Sequence, residues 1–331
     1  MPTRRDFLHG GLAVAGLMLL PGFPVIARIR DHSVDLDSPT AVALGATKVA
    51  SLTTDPKTDR RIVEVTDLTT GEVARHALDP DFHARCVAVI GAEVVVAGGF
   101  PIMVDSYEFE SGDYLAERPA ALADEPAIDE LLEVTTNRAE IMTYRPAVFA
   151  VGTSLRPVEV SQGWLGDIGG QVTHILPSRP LIVIGEAMGG FGLETAYELV
   201  VGTAATALGQ WKVKRRDRIM RPPFPHPSVT ASSTDSLGNH TVAITTRAQA
   251  FLSDIDPNGR VNQVRPGPAL DTEAGEVVIG FDGDGSLVTV DVSGLPATHR
   301  PSGDRWVRNT NQVASFVGTD GSRHELEFGG R

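Results

Sequence analysis

The side chains best suited to chemistry in this sequence stand at the starts of short apolar runs. His83 and Arg85 flank the start of CVAVI, Arg138 and Glu140 precede IMTY, His174 lies within QVTHIL, and His226 precedes SVTAS. Arginine supplies a fixed positive charge, and histidine adds a hydrogen bond or a metal bond near neutral pH. Gathered at one mouth, His83, Arg85, Arg138, His174 and His226 would bind a carboxylate or phosphate. They are distant in sequence, and no pair has a local metal-ligand spacing. Only a fold that winds separate runs around one axis can assemble them. Taken singly, each loop histidine is most simply a surface residue.

A second cationic group is local. Lys212, Lys214, Arg215, Arg216, Arg218 and Arg221 fall within ten residues, with Asp217 the one acid among them and Trp211 and Phe224 at the flanks. Such a patch suits an anionic partner, such as an envelope polyanion or the chain's own acidic stretch 107–133, where nine Asp and Glu face Arg118 alone. A solvated outer strand is the plainer alternative. The whole chain carries 42 acidic against 29 basic residues, net −13, which argues against a nucleic-acid partner.

No short catalytic motif is present: the sequence lacks G-x-S-x-G, H-E-x-x-H, C-x-x-C and the phosphate-binding G-x-x-x-x-G-K-[ST]. The run 185–192 lacks a third dinucleotide-binding glycine. Asp282-Gly283-Asp284-Gly285 lacks the remaining ligands of a calcium loop and reads as a strand-connecting turn. No cofactor is named by the sequence.

The elements that must position these groups are strands. With 6% aromatics, 34 Gly and 22 Pro, the composition favours many short strands and turns, and helical periodicity is scarce. Several hairpins share one form, an acidic or polar turn with Gly between two strands: 61–78, 102–117, 251–264 and 312–328, with weaker copies at 157–166 and 196–213. Aligning Gly71, Gly112, Gly163, Gly209, Gly259 and Gly321 gives spacings of 41, 51, 46, 50 and 62. Each repeat has room for four strands; residues 83–117 divide into HARCVAVI, EVVVAGG, IMVDSYE and DYLAE.

On these residues the chain resembles the broad β-propeller superfamily, including WD-repeat and quinoprotein-like proteins, whose blades often carry a strand–Asp-x-x-T-G-x–strand turn. Asp67 to Gly71 matches that turn fully. The expected fold is all-β: a propeller of six four-stranded blades, or seven if 287–300 is its own hairpin, with one short helix at 124–133 capped by Asp124. Turn spacing alone also allows a pair of β-sandwiches.

The front of the chain is set apart. Arg4 and Arg5 precede Asp6-Phe7-Leu8, and GLAVAGLMLL follows at 11–20, too short to span a bilayer. Pro21-Gly22 ends the apolar run, and Val25 and Ala27 suit a signal peptidase. The segment resembles a twin-arginine signal peptide. That resemblance implies export of an already folded protein by the twin-arginine translocon to the periplasm or beyond. The expected organisation is a leader at 1–27, an N-terminal segment at 28–40 and a propeller at 41–331. The lone cysteine, Cys86, reads as a small buried residue and cannot form an intrachain disulfide.

The expected function is an exported, non-catalytic propeller that binds a protein or small anion at the cell envelope. The alternative is a metal-dependent, lactonase-like enzyme, for which Glu140, Asn137 and Asp271 would stand in as ligands. Quinoprotein dehydrogenases fit less well, since Trp164, Trp211 and Trp306 are the only tryptophans.

Overall fold

The computed structural model describes residues 14–18, 25–29, 31–37, 39–55, 57–105, 140–158, 170–178, 181–189, 196–203, 207–214, 228–235, 237–245, 248–262, 264–282, 284–310, 313–317 and 323–328. All regular structure among them is β-strand. The helix expected at 124–133 lies outside the described residues.

The first sheet contains β1 (Val14–Met18), β4 (Ala41–Leu44), β5 (Lys48–Thr54), β6 (Arg61–Asp67) and β7 (Val73–Ala77), in that order. The second is built from β8 (His83–Ile90), β9 (Glu93–Asp105), β10 (Glu140–Val151) and β11 (Leu155–Val158), and the third from β12 (Gly170–Leu176), β13 (Ile182–Gly189), β14 (Ala196–Thr203) and β15 (Ala207–Lys214). The fourth comprises β16 (Ser228–Thr234), β17 (His240–Thr245), β18 (Gln249–Ile255) and β19 (Arg265–Ala269). The fifth comprises β20 (Val277–Phe281), β21 (Leu287–Val290), β22 (Pro296–Ser302) and β23 (Arg305–Thr310). A closing sheet joins the two ends of the chain in the order β24 (Ala314–Val317), β25 (Arg323–Phe328), β2 (Val25–Ile29) and β3 (His32–Leu36).

The sheets pack face to face in a ring. One apolar core lies between the first and second sheets, and others lie between second and third, third and fourth, and fourth and fifth. The last core draws on the fifth, closing and first sheets, with Ile29, Phe316 and Leu326 at its centre and wholly buried. Circular closure with a meander in each sheet is the β-propeller architecture. The expected six or seven four-stranded blades are corrected to five. Five sheets are four-stranded, and the remaining one has five strands because β1 adds to the free edge of β4. The hairpin 287–300 is no separate blade, since β21 and β22 are the middle strands of the fifth sheet.

Two strand readings also change. Residues 93–105 form one continuous strand, and the next strand of that sheet comes only at Glu140. The four strands of this repeat therefore span 83–158 and not 83–117. Gly209, aligned with the turn glycines, pairs with Val201 inside β15, and the connection runs through 204–206. Moreover, residues 25–29 and 32–36, which span the end of the expected leader and the N-terminal segment, supply two strands that close the ring.

The acidic Gly turns at Gly71 and Gly259 are as the sequence suggests, whereas those at Gly112, Gly163 and Gly321 lie outside the described residues. Asp67 Oδ1 accepts the amides of Thr69 (2.8 Å) and Thr70 (3.2 Å), and the Gly71 amide donates to Asp67 O (2.8 Å). Asp256 does the same for Asn258 and Arg260 on either side of Gly259, and the Gly285 amide closes on Asp282 O between β20 and β21. The carboxylate satisfies amides that a tight turn would otherwise leave open. Gly71 has φ +73° and an empty space where a Cβ would project, so strain there is purely conformational. Gly71→Val should therefore lower stability by about 1–3 kcal/mol in urea unfolding with an unchanged m-value.

Candidate functional site

The inner strands of the second to fifth sheets carry a bulge near their first residues. The registers skip Arg85 on β8, Thr173 on β12, Thr230 on β16 and Ile279 on β20. A bulge bends the strand and re-aims the extra residue. At Arg85 the extra residue is exposed, whereas Thr173, Thr230 and Ile279 are buried.

Around Arg85 the chain gathers a cationic and aromatic group at the mouth between the first and second sheets. Arg61, the first residue of β6, donates through Nη1 to the carbonyl of Ala84. His83 lies 5.3 Å from the Tyr144 ring, and the Arg145 guanidinium sits 5.8 Å from the centre of Phe100. Beneath them Phe82, Phe100 and Phe149 pack together, with Phe82 centred 5.2 Å from Phe100 and 5.0 Å from Phe149. Two glycines allow this approach. A Cβ on Gly98 would stand 2.0 Å from the His83 carbonyl oxygen, and one on Gly99 would crowd Arg145, Tyr144 and Gln171. Gly-Gly inside a valine-rich run is the sequence signal for this site.

The electrostatics are one-sided. Partial desolvation, then the nearby Arg85 guanidinium, push the Arg61 pKa below its ordinary value. Among the described residues no carboxylate pairs with Arg61, Arg85 or Arg145, and the buried Gln171 Oε1 has no hydrogen-bond partner. An anion there would find fixed charges, a cation–π-held arginine and an aromatic floor.

The sequence candidates divide accordingly. His83 and Arg85 belong to this group. His174 is wholly buried one position past the β12 bulge, equivalent to Cys86 on β8, and its Nε2 shares a 2.9 Å hydrogen bond with Ser232 on β16. Arg138 and His226 lie outside the described residues, as do Arg4, Arg5, Arg215, Arg216, Arg218, Arg221 and Asn137. Lys212 and Lys214 are on the outer strand β15, and Glu140 is the first residue of β10. Asp271 Oδ1 caps the amides of Glu273 and Ala274 in a turn. Cys86 is buried, which raises its thiol pKa and leaves it inert. Arg61 and Arg145 both stand on the third strand from the axis, β6 and β10, away from the inner-strand starts to which the spacing argument points.

Two further groups bear on the chemistry. Glu276, ahead of β20, accepts hydrogen bonds from Thr289 (2.6 Å), His299 (2.9 Å) and Arg308 (3.1 Å) on Oε1, and from the Asp271 amide (2.9 Å) on Oε2. Burial would raise its carboxyl, but the bonds from His299, Thr289 and Asp271 outweigh that and hold it at about 2. Every strand of the fifth sheet is thereby tied to one satisfied carboxylate, which is a brace and leaves no room for a ligand. On the opposite face, a cavity of about 440 Å³ is lined by Lys48, Asp67, Glu72 and His76. There Lys48 is committed to the Ala92 carbonyl (2.9 Å).

No family model matches the chain, and no curated protein matches it. Among solved structures it is similar to an acylaminoacyl peptidase in complex with Z-Gly-Gly-Phe-chloromethyl ketone, at 10% identity and a TM-score of 0.32. The match covers 95% of this chain and 56% of that one, so the chain spans little more than half the peptidase's length. The class defined by the topology is a β-propeller.

Proposed function

We propose that the protein is an exported binding protein that holds a small anion, a carboxylate or phosphate, at the mouth between the first and second sheets. The observation that carries this reading is the uncompensated meeting of Arg61 and Arg85 above the phenylalanine floor, in a chain of net −13. Burial and then the neighbouring Arg85 charge lower the Arg61 pKa, so an anion between the two guanidiniums is favoured because it relieves their repulsion and compensates the desolvation of Arg61. Export is supported by Arg4-Arg5 and the apolar run at 11–20. The basic run 212–221 is a second contact for an anionic envelope partner, supported by its charge alone.

Calorimetric titration with inorganic phosphate and with benzoate tests the site. Saturable binding of at least one is expected. Arg85→Ala and Arg145→Ala should each weaken it about tenfold, roughly 1.4 kcal/mol, with the melting temperature nearly unchanged. No saturable binding of either probe would overturn the reading, and so would variants that bind normally.

A further inference from the structure

The strand β1 lies where a propeller has its axial channel. It pairs antiparallel with β4, Leu17 opposite Val42 and Met18 opposite Ala41. It also packs beside β8, β12, β16 and β20, the inner strands of four other sheets. A five-residue segment can neighbour the inner strands of five sheets only by running along the axis. The residues are Val14-Ala15-Gly16-Leu17-Met18, the middle of the apolar run that reads as the export leader.

We infer that the axial channel is an acceptor for an extended apolar peptide strand, filled in the full chain by its own residues 14–18. Two observations point there. The inner edge of β4 carries open backbone donors and acceptors, and an added strand satisfies them, the recognition mode of strand addition. The side chains of Ala41, Val42, Ala43 and Leu44 are all committed to the cores on the two sides of the sheet, so β4 presents its backbone edge to the axis, and the segment that occupies it, Val14-Ala15-Gly16-Leu17-Met18, is wholly apolar. The leader and the channel are thus coupled: while 14–18 is in place the channel is shut, and removing the leader opens a strand-binding site. This inference does not depend on the anion site, which is made by other residues.

The test uses the full chain. Leu17→Cys with Val42→Cys, and Met18→Cys with Ala41→Cys, each in a Cys86→Ala background, place cysteines at adjacent register positions. Directly opposed residues of an antiparallel ladder have Cα atoms about 4.5–5.5 Å apart, within disulfide range. At least one pair should oxidise to an intramolecular disulfide, seen as a loss of two hydrogens by mass spectrometry. In a second variant a specific-protease site replaces 19–24, and the folded chain is cut there. Fragment 1–18 should co-elute with the body, and Leu17→Pro with Met18→Pro should release it at least tenfold faster. Of two adjacent residues one directs its amide to β4, so the paired prolines remove that donor whichever it is. Failure of both pairs to cross-link, or a fragment that departs equally fast with and without prolines, overturns the inference.

Discussion

A chain that begins at Arg28 should unfold at a much lower urea concentration than one that begins at Val25. The reason is the position of β2 in the closing sheet. Val25, Ile26 and Ala27 pair with Phe328, Glu327 and Leu326 on one side and with Leu36, Asp35 and Val34 on the other. Val25 and Ala27 are buried in the core shared by the fifth, closing and first sheets. Deleting the three residues removes a Val from that core, where large-to-small losses cost a few kcal/mol, and opens ladder hydrogen bonds on both sides at about 1 kcal/mol each. The expected loss is on the order of 5 kcal/mol, comparable with the whole stability of an ordinary domain. Equal midpoints for the two chains would show that the ring closes without this strand. The same argument sets where a leader should end. Val25 and Ala27 suit a peptidase by type, but a cut after Ala27 would divide a strand that joins the two chain ends. N-terminal sequencing of exported protein should therefore find Val25 or an earlier residue first.

The parts of this fold that were legible in the sequence are the local ones. An Asp followed within three or four residues by Gly marks a turn because both halves of the device, side-chain acceptor and left-handed backbone, sit in one short stretch; Asp67 and Asp256 both obey it. The strand 83–90 was likewise read with its correct limits from alternation and β-branching. Non-local features were not legible. Nothing in Val25–Ile29 announces that its partner lies about 300 residues away in Arg323–Phe328, since pairing across chain ends leaves no local signature. A glycine count also treats Gly209 and Gly71 alike, although one is inside a strand and the other has positive φ.

The site was half legible for a related reason. His83 and Arg85 stand at the start of an inner strand, where propeller geometry directs attention. Whether such a residue meets solvent or core depends on the bulge, and a bulge is a register event between two strands. It turns Arg85 outward, while His174, one place past its own bulge, is sealed against Ser232. Arg61 reaches the site from a different sheet through the Ala84 carbonyl, a contact that no spacing rule reveals.

Acid should unfold this protein between pH 6.5 and 4, and the buried histidines should be the cause. Burial, and then the neighbouring His240, hold His174 down to about 3; burial, partly opposed by Asp235, holds His240 at about 4. Both folded values lie below the ordinary 6.5. The unfolded chain therefore binds more protons than the folded one below about pH 6.5, and stability falls as pH drops through that window towards the folded values. The geometry agrees: His174 Nδ1 and His240 Nε2 are buried with no hydrogen-bond partner, so neither ring has an acceptor ready for a second proton. His174 is held instead by Ser232 and His240 by Thr234 Oγ1 at 2.8 Å, bonds that a neutral ring makes. Between pH 7 and pH 4 each histidine should contribute a loss on the order of 3 kcal/mol. Together these losses would consume most of a typical folding free energy. Glu276 acts in the same direction but in a lower window. Its folded value of about 2 lies below the ordinary carboxylate, so its contribution is complete above about pH 4.5 and is lost only as pH falls from there towards 2. Urea unfolding measured from pH 7 to pH 4 should therefore be steep in the parent and markedly flatter in His174→Gln and His240→Gln. A parent whose midpoint is flat over that range would place both histidines in contact with water.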